Sequence, residues 1–375
     1  MEIRAAVLGE MGQPRPYAES QPLRIERLEL APPGPGEVLV RVGAAGLCHS
    51  DLSVINGDRP RPTPMALGHE ASGIVEALGP GVEDLSPGDH VVMVFVPSCG
   101  HCLPCAEGRP ALCEPGGAAS VAGTLIGGGR RLSAGGAGIN HHLGVSAFAD
   151  HAVVSRNSLV KVDRDLPLEH AALFGCAVLT GVGAVVNTAG VRPGETVAVV
   201  GLGGVGLSAL LGAVAAGAER IVAVDVLESK LKLARELGAT DVANAADADC
   251  ADRVREATGG GVNSAVEVAG SEKALELAYR ITRRGGTTVT AGLAHPDRHV
   301  SLQQAGLVAE ERTLKGSYVG SCVPVRDIPR FVSLFRRGRL PVDRLLTETI
   351  ALDDINAAFD RLAEGQAIRQ VVTFD

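Results

Sequence analysis

The stretch Val197 to Asp225, VAVVGLGGVGLSALLGAVAAGAERIVAVD, constrains the fold of this 375-residue chain more than any other. Val197 to Val200 is a short β-branched apolar run of the kind buried on both faces of a sheet, and GLGGVG (Gly201 to Gly206) follows it at once. Leu207, Leu210, Leu211 and Val214 then fall at helical spacing. A strand that breaks through glycines into a helix lets a phosphate approach the N–H groups at the helix N-terminus, where partial positive charge favours an anion. Gly201, Gly203, Gly204 and Gly206 are therefore candidate contacts to a dinucleotide, with Gly203 and Gly206 making room for it. A second strand, Ile221 to Val224, ends in Asp225, 19 residues after Gly206. A carboxylate there can bond both hydroxyls of an adenosine ribose and repel a 2′-phosphate, which favours NAD over NADP.

The run from Val197 to Ala218 holds 22 residues without a charge, long enough to raise the question of a membrane span. Six glycines interrupt it and the chain re-enters a strand immediately, so it reads as buried α/β core. The balance of 35 basic against 43 acidic residues, net −8, with no cationic block, excludes non-specific binding to nucleic acid or anionic lipid. The start, MEIRAAVLGEMG, lacks the basic and long apolar segments of a secretory signal, and a cytoplasmic protein is expected. In that compartment eight cysteines point to metal or catalysis before disulfides.

Short apolar runs cut by proline and glycine from Glu2 to about Val42 predict an antiparallel β region. Cys99, Cys102, Cys105 and Cys113 form a Cys-x2-Cys-x2-Cys-x7-Cys array, suited to tetrahedral zinc closed to water and therefore structural. An iron–sulfur cluster also takes four thiolates, but its usual fourth spacing is x3 followed by proline. Glycine-rich sequence from Gly116 to Gly138 predicts a long loop. His141, His142 and His151 read as ordinary loop and strand-edge histidines, because no cysteine or acid is spaced with them. Cys176, in an apolar small-residue helix context, reads on its own as core packing. After Asp225 helical and strand patterns alternate, giving six strands counted from Val197, as a doubly wound parallel sheet needs. From Pro324 two amphipathic helices precede IRQVVTFD, a strand with no place in that sheet and expected to return to the first domain.

The motifs GLCHSDLSVINGD, GHEASGIVEALGPGV, the four-cysteine array, HHLGVSAFADHAVV, GCAVLTGVGAV, the glycine stretch and IRQVVTF resemble the zinc-dependent medium-chain alcohol dehydrogenases over essentially the whole chain. The segment from Gly116 to Gly138 is similar to the long-chain, dimeric branch that includes glutathione-dependent formaldehyde dehydrogenases. The resemblance implies a six-stranded Rossmann domain over residues 178–320 and a mostly β, GroES-like catalytic domain over 1–177 and 321–375. It implies two Zn²⁺ per chain, a catalytic one on Cys48, His69 and Cys176 and a structural one on the four-cysteine array. Asp51 would bond the far nitrogen of His69, and Glu70 would sit behind the metal. Ser50 would accept the alcohol's proton and pass it toward the nicotinamide ribose, although the family's usual relay histidine is Ser53 here. By the same matching His49 and Arg369 would touch the pyrophosphate, Lys230 the adenosine ribose, Thr180 and Val205 the nicotinamide, and Phe95 the substrate.

The implied activity is hydride transfer between NAD and a primary alcohol, allylic and aromatic ones included, by a cytoplasmic homodimer without nucleic-acid or membrane partners. An alternative is oxidation of a formaldehyde–thiol adduct. The arginine that anchors the thiol's carboxylate in such enzymes aligns near Gly117, and Arg130 and Arg131 could replace it only if the loop folds back. A non-catalytic nucleotide-binding protein fits less well, since metal-free relatives commonly lack the zinc ligands that stand here at all three positions.

Overall fold

A computed structural model of the chain describes residues 1–374 and divides into two compact units. One holds Met1–Cys176, Val323–Arg330 and the segment from Leu346 onward; the other holds Ala177–Cys322 and Phe331–Leu345.

The second unit is built on the six-stranded parallel sheet expected from the sequence. Its strands run in the order Asp241–Asn244, Arg220–Asp225, Thr196–Val200, Val262–Glu267, Thr282–Thr290 and Thr313–Gly316. Thr196–Val200 has its sequence successor on one side and Val262–Glu267 on the other, so the strand order reverses at its C-terminal end, where such sheets hold ligands. The apolar runs that predicted these strands face helices at 3.6-residue spacing. Ala198, Val200, Val222, Val224 and Ala265 pack with Ala251, Val254, Ala278 and Ile281, all nearly inaccessible to water. The uncharged stretch after Val200 becomes a helix of 12 residues, Gly204–Ala215. Among the described residues no helix is long and apolar enough to cross a membrane.

The first unit is mostly β. Glu2–Leu8 and Leu23–Leu30 pair antiparallel and close a small barrel with Leu132–Ala134, Ala137–His141 and Met65–Ala66. Glu37–Gly46 anchors a second sheet, flanked by Glu70–Leu78 and Arg369–Thr373, so the last strand of the chain pairs with one of the first. The segment expected as one long loop from Gly116 to Gly138 is instead partly ordered into a helix, Glu114–Ala122, followed by the hairpin strands Leu132–Ala134 and Ala137–His141. Glycine's poor helix propensity loses there to capping: Cys113 Sγ accepts from Gly116 N, Pro115 occupies the first turn, and Gly123 terminates the helix.

Candidate metal centres and dinucleotide loop

Three separated turns of the first unit deliver Cys48, His69 and Cys176. Cys48 follows strand Glu37–Gly46 and is the extended N-cap residue of helix His49–Ile55. His69 follows Gly68, whose φ of +93° and close approach to the backbone of Phe148 admit only glycine. Cys176 lies between helices Leu168–Leu173 and Ala177–Gly183. The three donor atoms lie within 4.8 Å of one another, and the side chains are buried. Cys48 Sγ and Cys176 Sγ are 4.0 Å apart, too far for a disulfide and close to the roughly 3.8 Å expected of two sulfurs each about 2.3 Å from one tetrahedral zinc. His69 Nε2 is buried without a hydrogen-bond partner, a cost that a metal would remove. The donor set therefore fits zinc.

The electrostatics agree with that chemistry. The Cys176 thiol beside Cys48 holds the Cys48 pKa well below the ordinary thiol range, with His69 adding to the effect against the cost of burial. Cys176 is pushed up in turn, so the pair favours one thiolate on Cys48. Burial opposes ionisation of Asp51, but His69 and His142 outweigh it and lower its pKa. Burial raises Glu70 to about 7, partly countered by Arg369.

Asp51 Oδ2 lies 3.0 Å from His69 Nδ1, the relation expected of a carboxylate behind a ligand histidine. Glu70 Oε2 lies 3.5 Å from Arg369 Nη1, which also donates to Leu47 O at 2.9 Å. Arg369 is 3% exposed, with Nη1 turned toward these partners. His49 is exposed and Ser50 half-buried at the start of the helix. Ser53 Oγ donates to His49 O at 2.8 Å and does not stand ready as a relay end. Phe95 packs its ring against His69, edge to face at 5.1 Å.

In the four-cysteine array all four Sγ atoms lie within 4.8 Å of one another. Cys113 Sγ accepts from Cys99 N and Cys99 Sγ from Cys102 N, at 3.1 and 3.2 Å, as backbone donors stabilise thiolates. Hydrogen bonds from the backbone, that of His101 first, hold the Cys99 pKa at about 6, whereas burial pushes Cys105 to about 12. A cation among them would settle all four as thiolates.

In the second unit the glycines divide their tasks. Gly201 has φ +95°, and a Cβ on Gly206 would collide with Gly201 O, so these two shape the turn and its packing. Gly203 alone of the three opens onto free space, whereas the sequence had assigned room for a phosphate to Gly206 as well. Asp225 Oδ2 accepts from Leu202 N at 2.7 Å and Oδ1 from Leu227 N at 3.0 Å, which pins the carboxylate against the loop. Gly204 and Val205 begin helix Gly204–Ala215, half-buried; Lys230, also half-buried, lies in helix Glu228–Glu236; Thr180, 8% exposed, lies in Ala177–Gly183.

One further residue stands at this candidate metal centre without a sequence signal. His142 is 1% exposed, and its Nδ1 lies 3.0 Å from Asp51 Oδ1. No local signal could have found it, because its acid partner is on a distant helix.

Residues 34–164 match the family described as Alcohol dehydrogenase GroES-like domain, and residues 204–337 the family Zinc-binding dehydrogenase. The NDMA-dependent alcohol dehydrogenase of Amycolatopsis methanolica is 40% identical over 376 residues, spanning 99% of each chain. The S-(hydroxymethyl)glutathione dehydrogenase of a Synechocystis strain is 38% identical over 378 residues, spanning 100% of both. Benzyl alcohol dehydrogenase from Acinetobacter calcoaceticus superposes with a TM-score of 0.93 at 35% identity, covering 100% of both chains.

Proposed function

The chain belongs to the zinc-dependent medium-chain alcohol dehydrogenases, and on that premise we propose that it moves hydride between NAD and a primary alcohol, benzylic alcohols included. The observation that carries the reading is the buried cluster of Cys48, His69 and Cys176, with an unpartnered His69 Nε2 facing two sulfurs. Zinc held there supplies a Lewis acid to the substrate hydroxyl, and NAD supplies the hydride acceptor. Cys48, Cys176 and His69 would hold the ion, both thiols then as thiolates that would offset its charge. Asp51 holds the His69 ring, Ser50 takes the hydroxyl proton, and Phe95 walls the pocket. Arg369 keeps Glu70 charge-compensated behind the site. Gly203 and the N-terminus of helix Gly204–Ala215 receive the pyrophosphate, with His49 as a further contact. Asp225 selects NAD over NADP, and Lys230 serves the same ribose. Thr180 and Val205 face the nicotinamide. The four-cysteine site holds the second, structural zinc. The unit with the parallel sheet is the NAD-binding domain, the other the catalytic domain, and the enzyme is a cytoplasmic homodimer in this reading.

The two arginines named for the thiol-adduct alternative are engaged elsewhere. Arg130 is engaged by Asn140 Oδ1 and Ala122 O, Arg131 by Glu37 at 2.6 Å, and Gly117 offers no side chain. The decisive experiment is metal analysis of the purified protein with NAD reduction on primary, allylic and benzylic alcohols, and on formaldehyde with and without glutathione. NDMA is added in a parallel series, because one relative is named for its dependence on it. Two zincs per chain and turnover of free alcohols are expected. One zinc or none, or inert alcohols, would refute the reading; thiol-dependent formaldehyde oxidation would replace it with the alternative.

A further inference from the structure

The carboxylate of Asp51 serves more than its ligand histidine. It is fully buried, and its two oxygens are shared among three groups: Oδ2 with His69 Nδ1 at 3.0 Å, Oδ1 with His142 Nδ1 at 3.0 Å and with Gly68 N, which donates at 3.2 Å. Both imidazoles approach obliquely, so proximity in a dry interior rather than ideal alignment makes the pairing. A carboxylate held on one oxygen only is free to rotate about its terminal torsion, which is broad. A contact on the second oxygen from another part of the fold removes that freedom.

We propose that His142 is a positioning residue of the catalytic metal site, clamping Asp51 so that Asp51 holds the His69 ring in its ligating orientation.

The backbone around His142 is built for such a clamp. His142 N donates to Ser146 Oγ at 2.8 Å, and Ser146 Oγ donates to Ala66 O at 2.8 Å. Ala147 N and Phe148 N donate to Gly68 O and Leu67 O, both at 3.0 Å. The loop carrying His142 is thereby stitched to the three residues that precede His69. The rings of His69 and His142 stand nearly perpendicular, 89° apart, with centroids 5.5 Å from each other. An imidazole this buried costs free energy unless its N–H has a partner, and Asp51 is the acceptor within reach.

The inference rests on the zinc reading above, so the zinc content of the unaltered protein is measured first; fewer than two per chain refutes that reading itself. The test of His142 is the rate at which a chelator strips each zinc from the holoprotein, together with steady-state kinetics. Groups one step behind a ligand change metal affinity about 10- to 100-fold. His142→Phe should therefore release one zinc about 10-fold faster, leave the other unchanged, and lower kcat without raising KM for NAD. His142→Asn, which keeps an N–H donor near the Nδ1 position, should restore most of the retention. Should His142→Phe fail to fold, His142→Gln takes its place, because its amide reaches toward Nε2 and misses Asp51. Three results would overturn the assignment: release at the unaltered rate, equal acceleration of both zincs, or a third zinc bound by Asp51, His69 and His142.

Discussion

Replacing Asp225 tests the cofactor assignment where the geometry gives a magnitude. The carboxylate is 9% exposed and already accepts from Leu202 N and Leu227 N, which leaves its remaining lone pairs for a ribose diol. Two hydrogen bonds from the diol to a charged acceptor are worth about 1.5 kcal/mol each at the low end, so Asp225→Gly should weaken NAD by about 3 kcal/mol, roughly 100-fold. A 2′-phosphate carries about −2 charge, and at about 5 Å its repulsion by a carboxylate is about 2 kcal/mol in water-like surroundings and several times that in a protein-like dielectric. Removing the carboxylate should therefore also help NADP by at least 10-fold or so. The NADP-to-NAD ratio of kcat/KM should rise by about 1,000-fold overall. Asp225→Asn separates the two effects, since its amide oxygen can still accept from Leu202 N and steady the glycine loop while the repulsion is gone. The assay is initial-rate kinetics with each dinucleotide at saturating alcohol. A ratio within about threefold of the unaltered enzyme in Asp225→Gly would refute the role of this residue, because neither the lost diol contacts nor the lost repulsion could then exist.

Ser50→Ala should cut kcat on the order of 100-fold, the range for loss of a proton-transfer group, while a binding titration finds the affinity for NAD unchanged; undiminished kcat would remove Ser50 from the relay. Cys105→Ser should leave one zinc per chain and expose residues 99–113 to limited proteolysis; retention of both zincs would mean that three thiolates suffice. His141 supplies a pH prediction. Burial first, then Arg130 and Arg131, lowers its pKa to about 4, and its Nε2 accepts from Arg131 N at 3.0 Å, which requires the unprotonated ring. Its stabilising contribution is therefore complete above the unfolded pKa of about 6.5 and is lost as pH falls toward 4, about 3 kcal/mol in all. Denaturant midpoints at pH 7 and 4.5 should converge in His141→Gln relative to the unaltered protein; an equal acid loss in both would place the effect elsewhere.

The doubly wound sheet was legible because its information is local: β-branched runs, 3.6-residue periodicity and glycines at the turn all lie within short windows. The same holds for the four-cysteine array, whose ligands sit within 15 residues of chain. The cluster of Cys48, His69 and Cys176 carries no such signal, and it entered only through resemblance to a family. Its members come from three turns that tertiary folding brings together. The helix Glu114–Ala122 escapes a pattern reading for a different reason. Its glycines argue against helix one residue at a time, and the cap that offsets them comes from a cysteine, Cys113, in place of the usual Ser, Thr, Asp or Asn.

The three histidines that looked alike in sequence show where pattern reading stops. His151 sits on a strand edge between Asp150 and Glu76, with its side chain 17% exposed, as an ordinary surface histidine does. His141 is buried and neutral, accepting a backbone N–H in the barrel. His142, its immediate neighbour, meets Asp51 instead. Adjacent residues separate in this way because the strand Ala137–His141 ends at that point and the chain turns through Leu143 and Ser146, both at positive φ. The alternation of a strand puts His141 in one environment, and the break after it puts His142 in another. Neither the spacing of the pair nor its composition encodes which of the two will face a carboxylate. That depends on helix His49–Ile55 presenting Asp51 at the same place, so a candidate metal centre extends as far into the fold as the contacts that hold its donor residues.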